Sequence, residues 1–272
     1  MWKWKAKNVD WQGGRLSCRH CPHSDLERRL RCSLGQTCVF DRRPSRIEKF
    51  FASNPDLSNG YLQHPYFEIR AAAARHAELF RLTALLDDPD ETVRINAALR
   101  LPRRFLLRLR NDPHREVRAR VAGALEGEEL LPMITDPDYF VRQIVALRIG
   151  VPQLRQMIDD PDAEVRRVVA ERIGPEMLSL LAGDPEPAVR LAVARRYTPS
   201  QLIAMRFDED CRVRLEAALR VVVSGLDLMG GDEDETVRET VKERLAAAAR
   251  ASASGAHIVL EMHPSRSSVG RF

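Results

Sequence analysis

Apolar positions along this chain return on a period of 24 residues. Val93, Ala97, Ala98 and Leu101 are followed one period later by Val117, Val121, Ala122 and Leu125, and further on by Val165, Val169, Ala170 and Ile173. Within a unit the spacing i, i+4, i+5, i+8 places these four side chains on one stripe of an α-helix. Each unit then carries a second apolar column, Leu82, Leu106, Leu130, Leu154, Leu178, Leu202 and Leu226, with Leu or Met three residues later, as in Leu109, Met133 and Met157. After a helix of about 12 residues and two connections, about seven residues remain for this column, fewer than the usual α-helix of about 11. An i, i+3 pair in so short a piece fits one or two turns of 3₁₀-helix. The pattern therefore predicts an all-α chain in which an α-helix alternates with a shorter, tighter helix, and no β-strand.

Polar positions keep the same register. An Asp-Pro-x-x-x-Val-Arg signature starts at Asp88, Asp112, Asp136, Asp160 and Asp184, and continues at Asp208 and Asp232 with Glu in place of proline. The Val-Arg step begins with Ile69-Arg70 and does not slip up to Val237-Arg238. In the unit that opens at Asp88, Asp88 is expected to cap the helix, Pro89 to supply its first φ, and Asp90 and Glu91 to favour its positive end. Pro102, Gly150, Gly174 and Thr198-Pro199 end the helices. A period of this size is the mark of a solenoid, whose units bury their apolar faces only by stacking on neighbours.

Ordinary leucine-rich repeats have a compatible period of roughly 20 to 29 residues, but they need an Asn column that no unit has, and HEAT, armadillo and tetratricopeptide units are longer. The unit with Asp-Pro, Val-Arg, paired Ala and a late Leu resembles the leucine-rich repeat variant family over roughly residues 64–250, about eight units. That resemblance implies a right-handed superhelix of alternating α- and 3₁₀-helices. The departures, His64 for the leading Asp, Lys242 for the second Ala and Arg250 for the late Leu, fall in the terminal units, which are often atypical in repeat arrays. The expected organisation is a cysteine-rich segment over 1–63, the repeats over 64–250, and a tail over 251–272.

With 44% apolar residues and 6% aromatics, the core must be built from Ala, Val, Leu and Met. The formal charge of +4 is uneven: residues 1–63 hold twelve Lys and Arg against six Asp and Glu, whereas the remainder is nearly neutral. Nearly neutral repeats argue against a general polyanion binder. Arg70, Arg94, Arg118, Arg142, Arg166, Arg190, Arg214 and Arg238 form a column, and Arg100, Arg148, Arg172, Arg196, Arg220 and Arg244 nearly form another. Because Asp recurs with the same period, ion pairing within the stack is favoured over a track for phosphates.

Ahead of the repeats stand Cys18, Cys21, Cys32 and Cys38. Four thiols in so short a stretch suggest a metal. A zinc site favours two short pairs, and the second pair here is stretched. A 4Fe-4S cluster tolerates irregular spacing, and Arg15, Arg19, Arg28, Arg29 and Arg31 would offset its negative charge. Spacing leaves iron–sulfur and zinc both open. The family resemblance implies an N-terminal 4Fe-4S domain with these four cysteines as ligands. His20 and His23 flank the set and are expected to support it rather than replace a ligand. Cys211 reads as an ordinary thiol. Trp2, Trp4, Trp11, Phe40, Phe50 and Phe51 are expected to seal the end of the first repeat and shield the cluster.

The first residues, Met1-Trp2-Lys3-Trp4-Lys5, lack an apolar stretch, and no later segment has the length to cross a bilayer, so the expectation is a soluble cytoplasmic protein. Phosphate-loop, zinc-protease and nucleophile-elbow motifs are lacking, and nothing requires an enzyme. The expected function is an iron–sulfur protein whose repeats bind another protein, with the cluster in electron transfer or redox sensing. The alternative is a zinc-stabilised module that binds nucleic acid.

Overall fold

The computed structural model describes residues 8–253, which divide between Gly150 and Val151 into two compact units. In the first, the helices Ser24–Arg28 and Pro44–Ser53 and the 3₁₀-helix Pro55–Tyr61 precede the repeats. The α-helices Phe67–Ala74, Glu91–Ala98, Arg115–Ala124 and Tyr139–Arg148 then alternate with 3₁₀-helices at Thr83–Asp87, Leu107–Asn111 and Gly127–Met133. The second unit runs from the 3₁₀-helix Val151–Met157 through the α-helices Ala163–Arg172, Pro187–Arg196 and Cys211–Arg220, with 3₁₀-helices between them, to the long helix Glu235–Ala253. Among the described residues the only β-pairing is two isolated bridges, Val9 with Arg15 and Ser33 with Thr37, and no helix is long and apolar enough to cross a membrane.

Both apolar columns are core. Val93, Ala97, Ala98 and Leu101 are buried, as are Val165, Val169, Ala170 and Ile173. Leu106 with Leu109, Leu130 with Met133, Leu178 with Leu181 and Leu202 with Met205 fill the other side of each layer. Small residues at the first column let successive helices approach closely, and burying each Leu or Val contributes about 1.5–3 kcal/mol.

The leading Asp does not cap its helix. The helix Glu91–Ala98 starts three residues after Asp88 and is capped by Asp90, whose carboxylate accepts Thr92 N–H. Asp138, Asp162 and Asp210 cap in the same way. Asp88 is already engaged: it takes Asp90 N–H at 2.9 Å and a two-pronged contact from Arg70 at 2.8 Å on each oxygen. A carboxylate already carrying three donors has little capacity left, and the cap falls to Asp90.

The first arginine column is thereby explained. Arg94 reaches 18 residues forward to Asp112, the leading Asp of the following repeat, while its third nitrogen donates to the carbonyl of Asp88 in its own repeat. The pairs Arg70–Asp88, Arg94–Asp112 and Arg118–Asp136 recur in the first unit, and Arg166–Asp184, Arg190–Asp208 and Arg214–Asp232 in the second. These side chains are largely buried, so removing one partner leaves an unpaired charge inside the stack. Burial pushes the Asp184 carboxyl up, but the Arg166 hydrogen bond, the Glu186 backbone N–H and the nearby Arg charges outweigh it and hold the group below its ordinary value.

The second column does different work. Arg100 donates to the carbonyls of Ala74 and Ala77, Arg196 to that of Ala170, Arg220 to those of Ala194 and Tyr197, and Arg244 to those of Ala218 and Val221. Each guanidinium thus satisfies carbonyls left over at the end of the preceding α-helix. In the unit that opens at Asp112 this position is Ala124, and a cavity lined by Ala98, Leu101, Val121 and Ala124 lies there instead.

His64 shows how an end unit copes without its Asp. Its Nδ1 accepts Tyr66 N–H at 3.1 Å, the bond that Asp88 makes to Asp90, and its carbonyl still receives Arg70. What His64 lacks is a carboxylate for an Arg 18 residues earlier. Arg46 stands there, and it pairs with the buried Asp41 instead.

Candidate metal centre

The cysteine segment is built from turns. Cys21 N–H donates to the Cys18 carbonyl and Ser24 N–H to that of Cys21, so the chain winds directly from the first pair into the helix Ser24–Arg28. His23 N–H points at Cys21 Sγ, 3.4 Å away. Between the second pair, Ser33 and Thr37 form a bridge with N–H donated in each direction, closed through Gly35 at φ +82°. The positive φ is what calls for glycine here; a Cβ would also come within 2.7 Å of Asn8 Oδ1, a side-chain end that would have to move aside. This hairpin cancels the apparent stretch of the second pair, because Cys32 and Cys38 flank its two ends.

The segment is fastened to the helix Pro44–Ser53 and to the first repeat. Cys38 N–H donates to the Arg46 carbonyl. Arg31 reaches the Ser53 carbonyl and Asp56, and the buried Asn54 amide donates to the carbonyls of Arg31 and Phe50. Glu48 accepts from Arg75 and contacts His76 at the end of the first repeat helix.

Cys18, Cys21, Cys32 and Cys38 all line one small, partly enclosed cavity. Its apolar wall is Leu34, Val39, Phe40 and Phe50, and its other polar members are His23, Glu27, Ser33 and Thr37. Burial pushes the Cys18 thiol up to about 11, helped by the hydrogen bond and charge of Glu27 and then by Cys21 and Cys38. Cys32 and Cys38 are raised too, first by burial. Four thiolates in one apolar cavity would repel one another, so their ionisation calls for a bound cation, and loading it releases protons. That donor chemistry fits a thiolate-bound iron or zinc centre. Among the described residues, no group of three or more His, Cys, Asp or Glu converges as it would on a single ion.

His23 is held by its ring rather than turned into the thiol set. It lies against Phe40, Phe50 and Tyr61, and shares a short hydrogen bond with the Tyr61 hydroxyl. Burial keeps the imidazole below its ordinary value and pushes Tyr61 up to about 12, with the charges of Cys21 and Cys38 adding to the latter. Both partners are therefore neutral at pH 7. His20 is exposed. Phe50 and Phe51 are buried as expected of a seal, and Trp11 stacks flat on Tyr66 at 5.6 Å; Trp2 and Trp4, like most of the expected tail, lie outside the described residues. Cys211 begins a helix of the second unit and is exposed. Sequence reasoning missed Glu27 and Tyr61, since nothing in their spacing ties them to the cysteines.

Comparison with known proteins agrees with this arrangement. Residues 8–60 match the family described as LRV protein FeS4 cluster. An uncharacterized 27.7 kDa protein in the nifB 3′ region of Rhodobacter capsulatus is 50% identical over 94 residues, which make up 35% of this chain and 38% of that protein's length. A solved structure described as a leucine-rich repeat variant with a novel repetitive protein structural motif superposes with a TM-score of 0.81 at 39% identity, covering 85% of this chain and 99% of the other. With a matched iron–sulfur segment ahead of matched repeats, the chain belongs to the leucine-rich repeat variant family, as an iron–sulfur repeat protein.

Proposed function

We propose that Cys18, Cys21, Cys32 and Cys38 ligate a 4Fe-4S cluster and that the repeats serve as a scaffold for another protein, with no catalytic role of their own. The observation that carries the proposal is that all four thiols line one largely apolar-walled cavity inside the segment matched to the FeS4 family. When bound, such a cluster takes up and releases a single electron, which suits electron transfer or redox sensing. Phe40, Phe50, Val39 and Leu34 keep water from the thiolates. The His23 N–H stabilises charge on Cys21 Sγ and so favours the more negative state of the centre. His23 and Tyr61, neutral and hydrogen-bonded to each other, hold that peptide in place.

The zinc-stabilised nucleic-acid module draws no support from the repeats, whose first arginine column is engaged by aspartates. Iron, zinc and acid-labile sulfide analysis on protein purified without air decides between the two. About four iron and four sulfide per chain, with a brown colour that bleaches on reduction, is the expected result. Stoichiometric zinc in colourless protein from an iron-replete culture would sink the redox reading.

A further inference from the structure

Leu30 is the one non-glycine residue at positive φ among the described residues, at +58°, and its side chain is 93% exposed. Both features follow from the helix Ser24–Arg28 ending in a Schellman turn: Arg31 N–H donates to the Leu26 carbonyl and Leu30 N–H to that of Glu27. Leu30 occupies the left-handed position of that turn, where glycine is the usual residue because a Cβ is strained there. A leucine at this point is unfavourable twice, in backbone conformation and in exposed apolar area. It is also two residues from Cys32, so its Cα lies within about 7 Å of that ligand's.

Its surroundings are basic. Arg28 and Arg29 directly precede it, Arg19 lies between the first two cysteines, and all three are exposed with no ion pair to a described residue. This differs from the repeats, where arginines of the first column are buried against aspartates. Neutralising the cluster would account for charge in this loop, but not for an outward leucine in a strained conformation.

We propose that Leu30, with the exposed Arg28 and Arg29 directly before it and Arg19 elsewhere in the same cysteine segment, is the docking point for an acidic electron-transfer protein that receives Leu30 in an apolar recess. This rests on the redox reading above and names its partner's chemistry. An aliphatic anchor with a basic rim suits a protein surface, with apolar centre and charged periphery. Phosphates of a nucleic acid would engage the arginines but give an exposed leucine nothing to bury against, and a single leucine is too little for a membrane anchor.

The test uses the full-length, air-free protein and an acidic two-iron ferredoxin as probe, with affinity measured by calorimetry at low and at physiological ionic strength. Binding is expected to weaken with salt. Leu30→Gly is expected to weaken it about tenfold while leaving the salt dependence intact and the melting temperature equal or higher. Arg28→Glu/Arg29→Glu is expected to abolish the salt-sensitive part. Ferredoxin binding that is absent, or unchanged by Leu30→Gly, overturns the proposal, as does preferential binding of duplex oligonucleotide or phosphatidylglycerol vesicles through the same residues. Metal analysis of the same sample separates the two claims: zinc with Leu30-dependent binding refutes the cluster and keeps the surface, and iron without such binding does the reverse.

Discussion

The repeats and the cysteine segment handle polar groups in opposite ways. In the repeats almost every buried polar group meets a partner supplied by the same pattern one unit away, as when Arg94 grips Asp112 while Asp112 also takes His114 N–H. Charge is consumed internally, and what remains outward is nearly neutral. In the cysteine segment four thiols line one cavity, burial raises Cys18 to about 11, and the exposed Arg19, Arg28 and Arg29 make no ion pair to a described residue. Periodic self-pairing produces a stable array. Unmatched groups mark where something else must bind, and here they concentrate in the segment that does not repeat.

The contrast breaks most severely at the thiols. Cys38→Ala should remove nearly all bound iron and sulfide, and amide exchange across residues 8–60 should rise while the helix Ala163–Arg172 keeps its protection. Equal exchange in both regions would mean that the segment folds without its metal. In the repeats the largest effect is expected from Arg166→Ala, which strands the buried Asp184 and should cost about 3 kcal/mol in urea unfolding. The double variant Arg166→Ala/Asp184→Ala should lose less than the two single losses added together, because it leaves no orphan charge.

Acid gives a smaller and graded effect. Asp184 and Asp232 lie below their ordinary value of 3.8, and Asp210 is lowered to about 2 by its Arg212 hydrogen bond and by backbone N–H donors. A carboxylate depressed on folding contributes stability that is whole above the unfolded value and lost as pH falls through the folded one. The melting temperature should therefore hold down to about pH 4 and then fall towards pH 2. A flat profile over that range would show that the aspartates do not support the stack. Smallest of all, Ala124→Arg should restore the missing carbonyl-capping guanidinium and add about 0.5 kcal/mol, limited by Arg103 and Arg120 beside the cavity. No gain, or a loss, would mean that Arg103, which reaches across to Glu126, already serves that junction.

Legibility followed the same division. The apolar stripe, the 3₁₀ pair and the seven-fold Val-Arg step state one local instruction many times, so their burial could be read without a structure. The helix cap was misplaced by two residues, from Asp88 to Asp90, because the sequence shows two candidate acids and only the preceding repeat's Arg70 shows that one is already taken. The cysteine set was visible as residues, yet its closure was not: a spacing of five looks too wide until the Gly35 hairpin brings its ends together. Tyr61 lies 38 residues from His23 and gives no local sign of their hydrogen bond.

Sequence alone determined the period, the helix types, the buried columns and the four thiols, since each depends on spacing within a few turns of chain. Tertiary structure decided which carboxylate each arginine holds, which rings wall the thiol cavity, and that Leu30 turns outward. Those are contacts made once, between residues brought together by the packing of separate turns and helices, and a one-dimensional pattern carries no record of them.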